Sequence, residues 1–345
     1  MYIPIILLAL YNINIIRDKC SANDVLSEYN TNNIKGLIAF TIIFHHLSQR
    51  IEGESLFLLR NIGYLIVGIF LFYSGYGLTK ATLTKANYLD KFWIKRFPKV
   101  VIPFILSNLL FIIGYVIFEN KLYTTIEAIN YIIGIKLIDS FKWYIWTTII
   151  LYIGYYILFK TFKENKAIIL VFLYINIYFW ICYIFKIGGW WYNSIFSFFG
   201  GVLFGKYGEK IIQFIKVKYL YTIIPIAIFL LVYTYGIKNG NIFTATIANT
   251  SFIISFVFIS IKLRIGNKIT KFLGTISYEI YLVHRLVLDI LNYRIQNRYI
   301  YVVASVIGSI VLAYLFSIIA KKIINITINI LEKHLGEKNE TICKV

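Results

Sequence analysis

Charge is scarce in this chain. Only 15% of its 345 residues are Asp, Glu, Lys or Arg, while 59% are hydrophobic. Those shares lie well below and well above the values of an ordinary water-soluble domain, which excludes a soluble globular fold as the main architecture. Acidic residues are the scarcer sign, 16 against 35 basic ones, and leave a formal net charge of +19. On a soluble face such an excess would suggest nucleic acid. Here the basic residues fall between apolar runs, and no nucleic-acid partner is expected. Cysteine is nearly absent: Cys20, Cys182 and Cys343 are too few and too scattered for a disulfide framework, a zinc site or a redox pair, and nothing else in the sequence indicates a metal. No loop is long enough to form a separate domain, so whatever chemistry the chain performs lies in or at the apolar part. No internal repeat is visible, which weighs against a transporter built from duplicated halves.

What is present is a series of apolar runs of about 20 residues, the signature of a polytopic helical membrane protein. Candidate spans lie at 2–16, 34–50, 61–79, 100–118, 143–160, 167–185, 193–208, 219–236, 241–261, 272–292 and 299–320. The expected fold is all-α, a bundle of about ten core transmembrane helices preceded by one extra N-terminal helix. The first run has no basic residue before it and no small-residue cleavage site after it, so it reads as a retained helix rather than a signal peptide. The expected organisation is 1–33 as extra helix and linker, 34–320 as the membrane domain, and 321–345 as a polar cytoplasmic tail. Residues 125–139 are apolar but interrupted, and read as an interfacial or re-entrant segment.

Orientation follows from the basic residues, because positive charge is retained in the cytoplasm. Counted on alternate sides of the eleven runs, 25 of the 35 Lys and Arg fall on one side and 10 on the other. That places the amino terminus outside, the carboxyl terminus inside and the six-residue basic cluster of Lys80–Lys99 in the cytoplasm. Heavy use of Ile, Asn, Lys and Tyr matches the codon bias of an A+T-rich bacterial genome, so the expected location is a bacterial cell membrane.

Ionisable groups inside spans are costly and mark function or pair with each other. They are few. The second run holds Lys35, His45 and His46; the tenth holds Glu279, His284, Arg285 and Asp289. Lys35 and His46 are eleven residues apart, about three turns and 16 Å along nearly one helix face. A histidine there serves equally well as a hydrogen-bonded strut between helices. The adjacent pair diverges by about 100°, and the strut reading fits His45 better. Arg285 and Asp289, four apart, can neutralise each other. Glu279 and His284 are five apart, on different faces, and each needs a partner elsewhere. Arg96 and Lys99 flank Pro98 before the fourth run. They act either as a positive-inside anchor or as a phosphate site at a helix start. Trp143-Tyr144 and Trp190-Trp191-Tyr192 fit an outer aromatic belt, and also the stacking of sugar rings. The spacing of Gly201 and Gly205 is that of close helix packing.

Five of these segments, in order, resemble the membrane acyltransferase-3 family. Lys35-Gly-Leu-Ile-Ala-Phe-Thr-Ile-Ile-Phe-His-His46 is similar to its first core helix, a basic residue, ten others, then His, with His46 at the matching position. Leu71-Phe72-Tyr73-Ser74-Gly75-Tyr76-Gly77 resembles its Ser-Gly-Tyr segment, Arg96-Phe-Pro-Lys99 its Arg-x-x-Arg element, and Trp143-Tyr144 its outer aromatic pair. Leu273-Gly274-Thr-Ile-Ser277-Tyr278-Glu279-Ile-Tyr281-Leu-Val-His284 resembles its late helix. Lys35 and Lys99 replace the family's usual arginines, which loses bidentate geometry toward an oxyanion. The resemblance implies transfer of an acyl group, usually acetyl, from cytoplasmic acyl-coenzyme A to a hydroxyl of a carbohydrate or lipid-linked glycan. It gives His46 the role of general base or acyl relay, with Glu279 orienting it or carrying the proton. Lys35, Arg96 and Lys99 would hold the donor phosphates, and Ser74, Trp143, Tyr144, Ser277, Tyr281 and His284 would support the site. Acyl-coenzyme A is then a substrate and no cofactor is permanently bound; the partners are the bilayer, the donor and the glycan. The rival readings are a polysaccharide flippase, exporter or polymerase component, and a secondary transporter, which would need midplane carboxylates where only Glu279 is placed.

Overall fold

The apolar runs fold as helices in the computed structural model, which describes residues 1–11, 13–15, 22–51, 53 and 56–342. In chain order these are α1 (Tyr2–Leu10), α2 (Ala22–Val25), α3 (Glu28–Ser48), α4 (Phe57–Asn61), α5 (Gly63–Thr84), α6 (Phe92–Glu119), α7 (Thr125–Ile133), α8 (Trp143–Thr161), α9 (Glu164–Ile184), α10 (Phe196–Val217), α11 (Ile223–Asn239), α12 (Ile242–Ser260), α13 (Lys268–Thr275), α14 (Ser277–Asn292) and α15 (Arg298–Ile342). The expected all-α membrane fold is what the chain adopts, with one addition: β1 (Ile13–Ile15) pairs antiparallel with β2 (Leu263–Ile265), Ile13 opposite Ile265. Among the described residues, six helical stretches are long and apolar enough to cross a membrane: Gly63–Thr84, Phe92–Glu119, Glu164–Ile184, Tyr219–Ile237, Ile242–Ser260 and Arg298–His334. α1 and α14 are shorter, and α3, α8 and α10 are long enough but more polar, α10 through Lys206, Glu209, Lys210 and Lys216. α1 ends at Leu10, short of the run offered by the sequence, and α15 continues as helix through 342.

Local chemistry sets several boundaries. Ser27 caps α3 by accepting from the Asn30 amide. α7 opens on a reciprocal capping box between Thr124 and Glu127 and closes at Gly134, whose φ of 83° suits a residue without a Cβ. The two Thr124 donors hold the exposed Glu127 carboxyl below the usual carboxylate range. Asn241 and Thr244 make a second such box at α12.

The chain divides into two compact units. One comprises Met1–Ala86 and Trp146–Thr275; the other comprises Asn87–Ile145 and Ile276–Val345. In the first, α5 and α10 form the tightest pair, with α12 against both and α11 against α12. Backbone contact explains the glycines there. A Cβ on Gly75 would sit 2.1 Å from the Phe198 carbonyl oxygen, and one on Gly201 would sit 2.0 Å from that of Phe72. Gly205 faces Thr79 in the same seam, so the small-residue spacing is a packing device. Helix α13 lies on α3 in the same manner, through Gly36 and Gly274. The core between α3, α5, α10 and α12 includes Ile38, Ile42, Ile69, Phe72, Phe204 and Val257. Over α10 and α12, flanked by Phe172 of α9 and Ile228 of α11, lies an apolar cavity of about 970 Å³. The second unit is built on α6, α14 and α15, with α7 against α6 and Phe111, Tyr115 and Leu286 at its core.

Candidate active site

The histidine pair closes α3 in the first unit. His45 and His46 are both buried, with ring centroids 4.6 Å apart. His45 Nδ1 lies 2.6 Å from the Leu59 carbonyl of α4, and its Nε2 lies 3.2 Å from Gln49 Nε2. His46 Nδ1 lies 3.0 Å from Gln49 Oε1. The strut reading therefore describes His45, which joins α3 to α4. Arg60 of α4 completes the joint by donating from Nε to the Ser48 carbonyl (2.6 Å) and from Nη2 to that of Ile51 (2.5 Å). It thus satisfies the Ser48 carbonyl, which the end of α3 leaves without a helical partner, and that of Ile51 in the segment after it. Lys35 sits three turns earlier on α3, half-buried, its Nζ 5.8 Å from the centre of the Tyr73 ring. Ser74 of α5 receives a 3.4 Å hydrogen bond from Tyr152 of α8.

The second unit carries the remaining predicted residues. Arg96 is half-buried near the start of α6 and donates from Nε to the Tyr88 hydroxyl at 2.8 Å, whereas Lys99 one turn on is exposed. Neighbouring Lys95 pairs with Glu332 of α15. Pro98 and Pro103 fall inside α6 close to this basic cluster. Glu279 and Ser277 lie in the first turn of α14, both buried, where the helix dipole favours a carboxylate. His284 is fully buried and its Nδ1 donates to the Ile280 and Tyr281 carbonyls of its own helix, at 2.9 and 3.0 Å. The Tyr281 hydroxyl donates to the Phe141 carbonyl, and its ring packs edge-on against Tyr144, which in turn packs against Trp143. Trp143, Tyr144 and Tyr281 thus form one buried aromatic group at the junction of α8 and α14.

Arg285 lies 3.7 Å from Asp289, as the four-residue spacing suggests. The structure extends that pair into a network. Arg285 also lies 3.7 Å from Asp139 and stacks over Phe141 at 4.2 Å, and Asp289 accepts from the Tyr115 hydroxyl at 2.8 Å. Beside it is a residue that sequence reading passes over. Lys142 is fully buried, its Nζ bonded to Ser107 Oγ (3.0 Å) and Asn108 Oδ1 (2.9 Å) and lying 3.9 Å from the centre of the Phe111 ring. Gln49 is a second omission. A signal for it exists, since it lies three residues after His46 and four after His45, on the helical spacing at which side chains meet.

The α10–α12 cavity is apolar. Thr246, Thr250 and Ser251, which line the cavity, spend their hydroxyls on carbonyls of their own helix, so its walls suit hydrocarbon rather than sugar or nucleotide. Among the described residues no group of three or more His, Cys, Asp or Glu is arranged to hold a metal ion, and Cys182 is a buried free thiol; Cys20 and Cys343 lie outside the described residues.

The comparisons with known proteins identify one relationship. The profile described as an acyltransferase domain, acyltransferase-3, matches residues 28–320. No curated protein and no solved structure matches the chain. That match covers most of the chain and runs from the first residue of α3 into α15, and the chain therefore belongs to the acyltransferase-3 family of membrane acyltransferases.

Proposed function

We propose that this membrane acyltransferase moves an acyl group, in the simplest case acetyl, from cytoplasmic acyl-coenzyme A to a hydroxyl of a cell-surface carbohydrate or lipid-linked glycan. One observation carries the reading: His46 is a buried imidazole at the far end of the helix that bears Lys35, and its ring is pinned through Nδ1 to Gln49. A positioned imidazole is the side chain best matched to deprotonating a hydroxyl near neutral pH. Lys35 anchors donor phosphate at one end of α3, and the thioester is presented near His46, about 16 Å away along the helix.

In the reaction the acceptor hydroxyl oxygen forms the new ester bond to the acyl carbonyl carbon. Its proton passes to His46 Nε2, the thioester carbon–sulfur bond breaks, and the departing coenzyme A sulfur takes the proton up. Arg96 and Lys99 add positive charge for the donor phosphates, Arg96 with the stronger geometry because its guanidinium offers two parallel donors. The family resemblance gives Glu279 the role of carrying or relaying the proton, while the Trp143, Tyr144 and Tyr281 rings, buried and packed against one another, serve as support rather than as a sugar-stacking face.

The test is incubation of purified protein with isotope-labelled acetyl-coenzyme A, with and without a lipid-linked glycan fraction. Wild type should transfer label to glycan, and His46→Ala should transfer none while reaching the membrane at normal amount. Full activity in His46→Ala would remove the mechanism. Arg96→Ala should raise the KM for donor about tenfold or more and leave that for acceptor near the wild-type value; an unchanged donor KM would remove the role of Arg96.

A further inference from the structure

The hydrogen bonds around the histidine pair determine more than where His46 sits. A carbonyl oxygen only accepts, so the 2.6 Å contact with Leu59 requires a proton on His45 Nδ1. His45 is 6% exposed, and a cationic ring at that depth would have to lose its hydration without a carboxylate among the hydrogen bonds made by its nitrogens. Neutral His45 with a proton on Nδ1 has an unprotonated Nε2, which accepts from the Gln49 amide nitrogen at 3.2 Å. The amide then has a single orientation, with Oε1 toward His46, and at 3.0 Å that oxygen accepts only if His46 Nδ1 carries its proton.

We infer that His45 and Gln49 are positioning residues that fix the tautomer of His46, placing its proton on Nδ1 and its basic lone pair on Nε2. The Leu59 carbonyl sets the direction of the whole chain, from backbone to His45, to the amide, to His46. The adjacent histidine, which looks redundant in the sequence, thereby acquires a task. Gly63 at the start of α5 belongs to the same arrangement. A Cβ there would lie 2.4 Å from His45 Nε2, so a glycine makes the room in which the His45 ring meets Gln49.

The inference rests on reading His46 as the base, but its first test is independent of catalysis. The full chain labelled with 15N-histidine in lipid nanodiscs gives one pair of ring-nitrogen shifts for each of its 4 histidines, assigned by single His→Asn variants. Wild type should show His46 protonated at Nδ1 and unprotonated at Nε2. Gln49→Leu, which cannot accept, should give a mixture of tautomers and lower kcat about 10- to 100-fold with little change in donor KM, by analogy with groups that orient a reactive imidazole. Gln49→Glu keeps an acceptor opposite Nδ1 and should restore the single tautomer and most of kcat. Gly63→Ala supplies a variant that leaves Gln49 in place, and should reproduce the mixture by displacing the His45 ring. A wild-type His46 protonated on Nε2, or a tautomer indifferent to both Gln49→Leu and Gly63→Ala, would overturn the inference. A locked tautomer together with a fully active His46→Ala would uphold the lock and remove the catalytic reading.

Discussion

At the scale of single residues, Lys142 is a buried amine whose hydrogen bonds go to neutral side chains. Its Nζ is buried with Ser107, Asn108 and the Phe111 ring, and the buried Asp139, three residues earlier, lies 3.7 Å from Arg285. Removing the amine strands the buried Ser107 and Asn108 oxygens, at a typical cost of about 1–3 kcal/mol for a buried polar group left unsatisfied. Lys142→Ala should therefore destabilise the protein by about that amount in reversible unfolding from detergent micelles; a change below about 1 kcal/mol would show that Lys142 is replaceable packing. His46, Lys35 and the Arg285 to Asp289 pair are legible in the sequence because an ionisable group in an apolar run stands out against its neighbours. Lys142 is not, because it directly precedes a span and counts as one more loop charge. Only the fold shows that α6 closes over it.

At the scale of elements, the seam between α5 and α10 depends on missing side chains. Gly75→Ala forces a Cβ to within 2.1 Å of the Phe198 carbonyl and must push the two helices apart, whereas a Cβ at Gly77, two residues on, meets nothing within 4 Å. Gly77→Ala should be neutral or stabilising by up to about 1 kcal/mol, since alanine is the better helix former. Gly75→Ala should lower the melting temperature clearly, and similar curves for the two variants would contradict the packing described. The Gly201 and Gly205 spacing makes one side of this seam readable in advance. The opposite glycine is hidden in a segment that reads first as a site motif. α7 was readable as an interruption in an apolar stretch, and its capping box explains why nine residues hold a helix there. The pairing of β1 with β2 was not readable, because three-residue strands separated by some 250 positions leave no periodic trace.

At the scale of the molecule, composition alone gave the helical membrane class, and the order of five motifs gave the family. The number of spans was harder to read. Helices such as α3 and α14 bury polar groups within the protein, so their hydropathy understates their place in the bundle. Orientation is accessible to experiment. In a background lacking Cys20 and Cys343, Leu122→Cys, which is 92% exposed, should react with a membrane-impermeant maleimide added outside intact cells, while Thr84→Cys should react only after permeabilisation. The reverse pattern would invert the topology drawn from the basic residues.

The cavity over α10 and α12 has a consequence for handling the protein. An open apolar hollow of about 970 Å³ walled by Phe196, Phe199, Leu203, Ile211, Ile254 and their neighbours would expose hydrocarbon to water in a soluble protein, whereas in a bilayer it offers acyl chains a place to pack. Acyl chains packed there would add to the contacts of the folded state. Its thermal stability should follow the alkyl chain length of the solubilising detergent, rising from eight to twelve carbons. Leu203→Trp, which supplies some of the missing volume from within, should flatten that dependence.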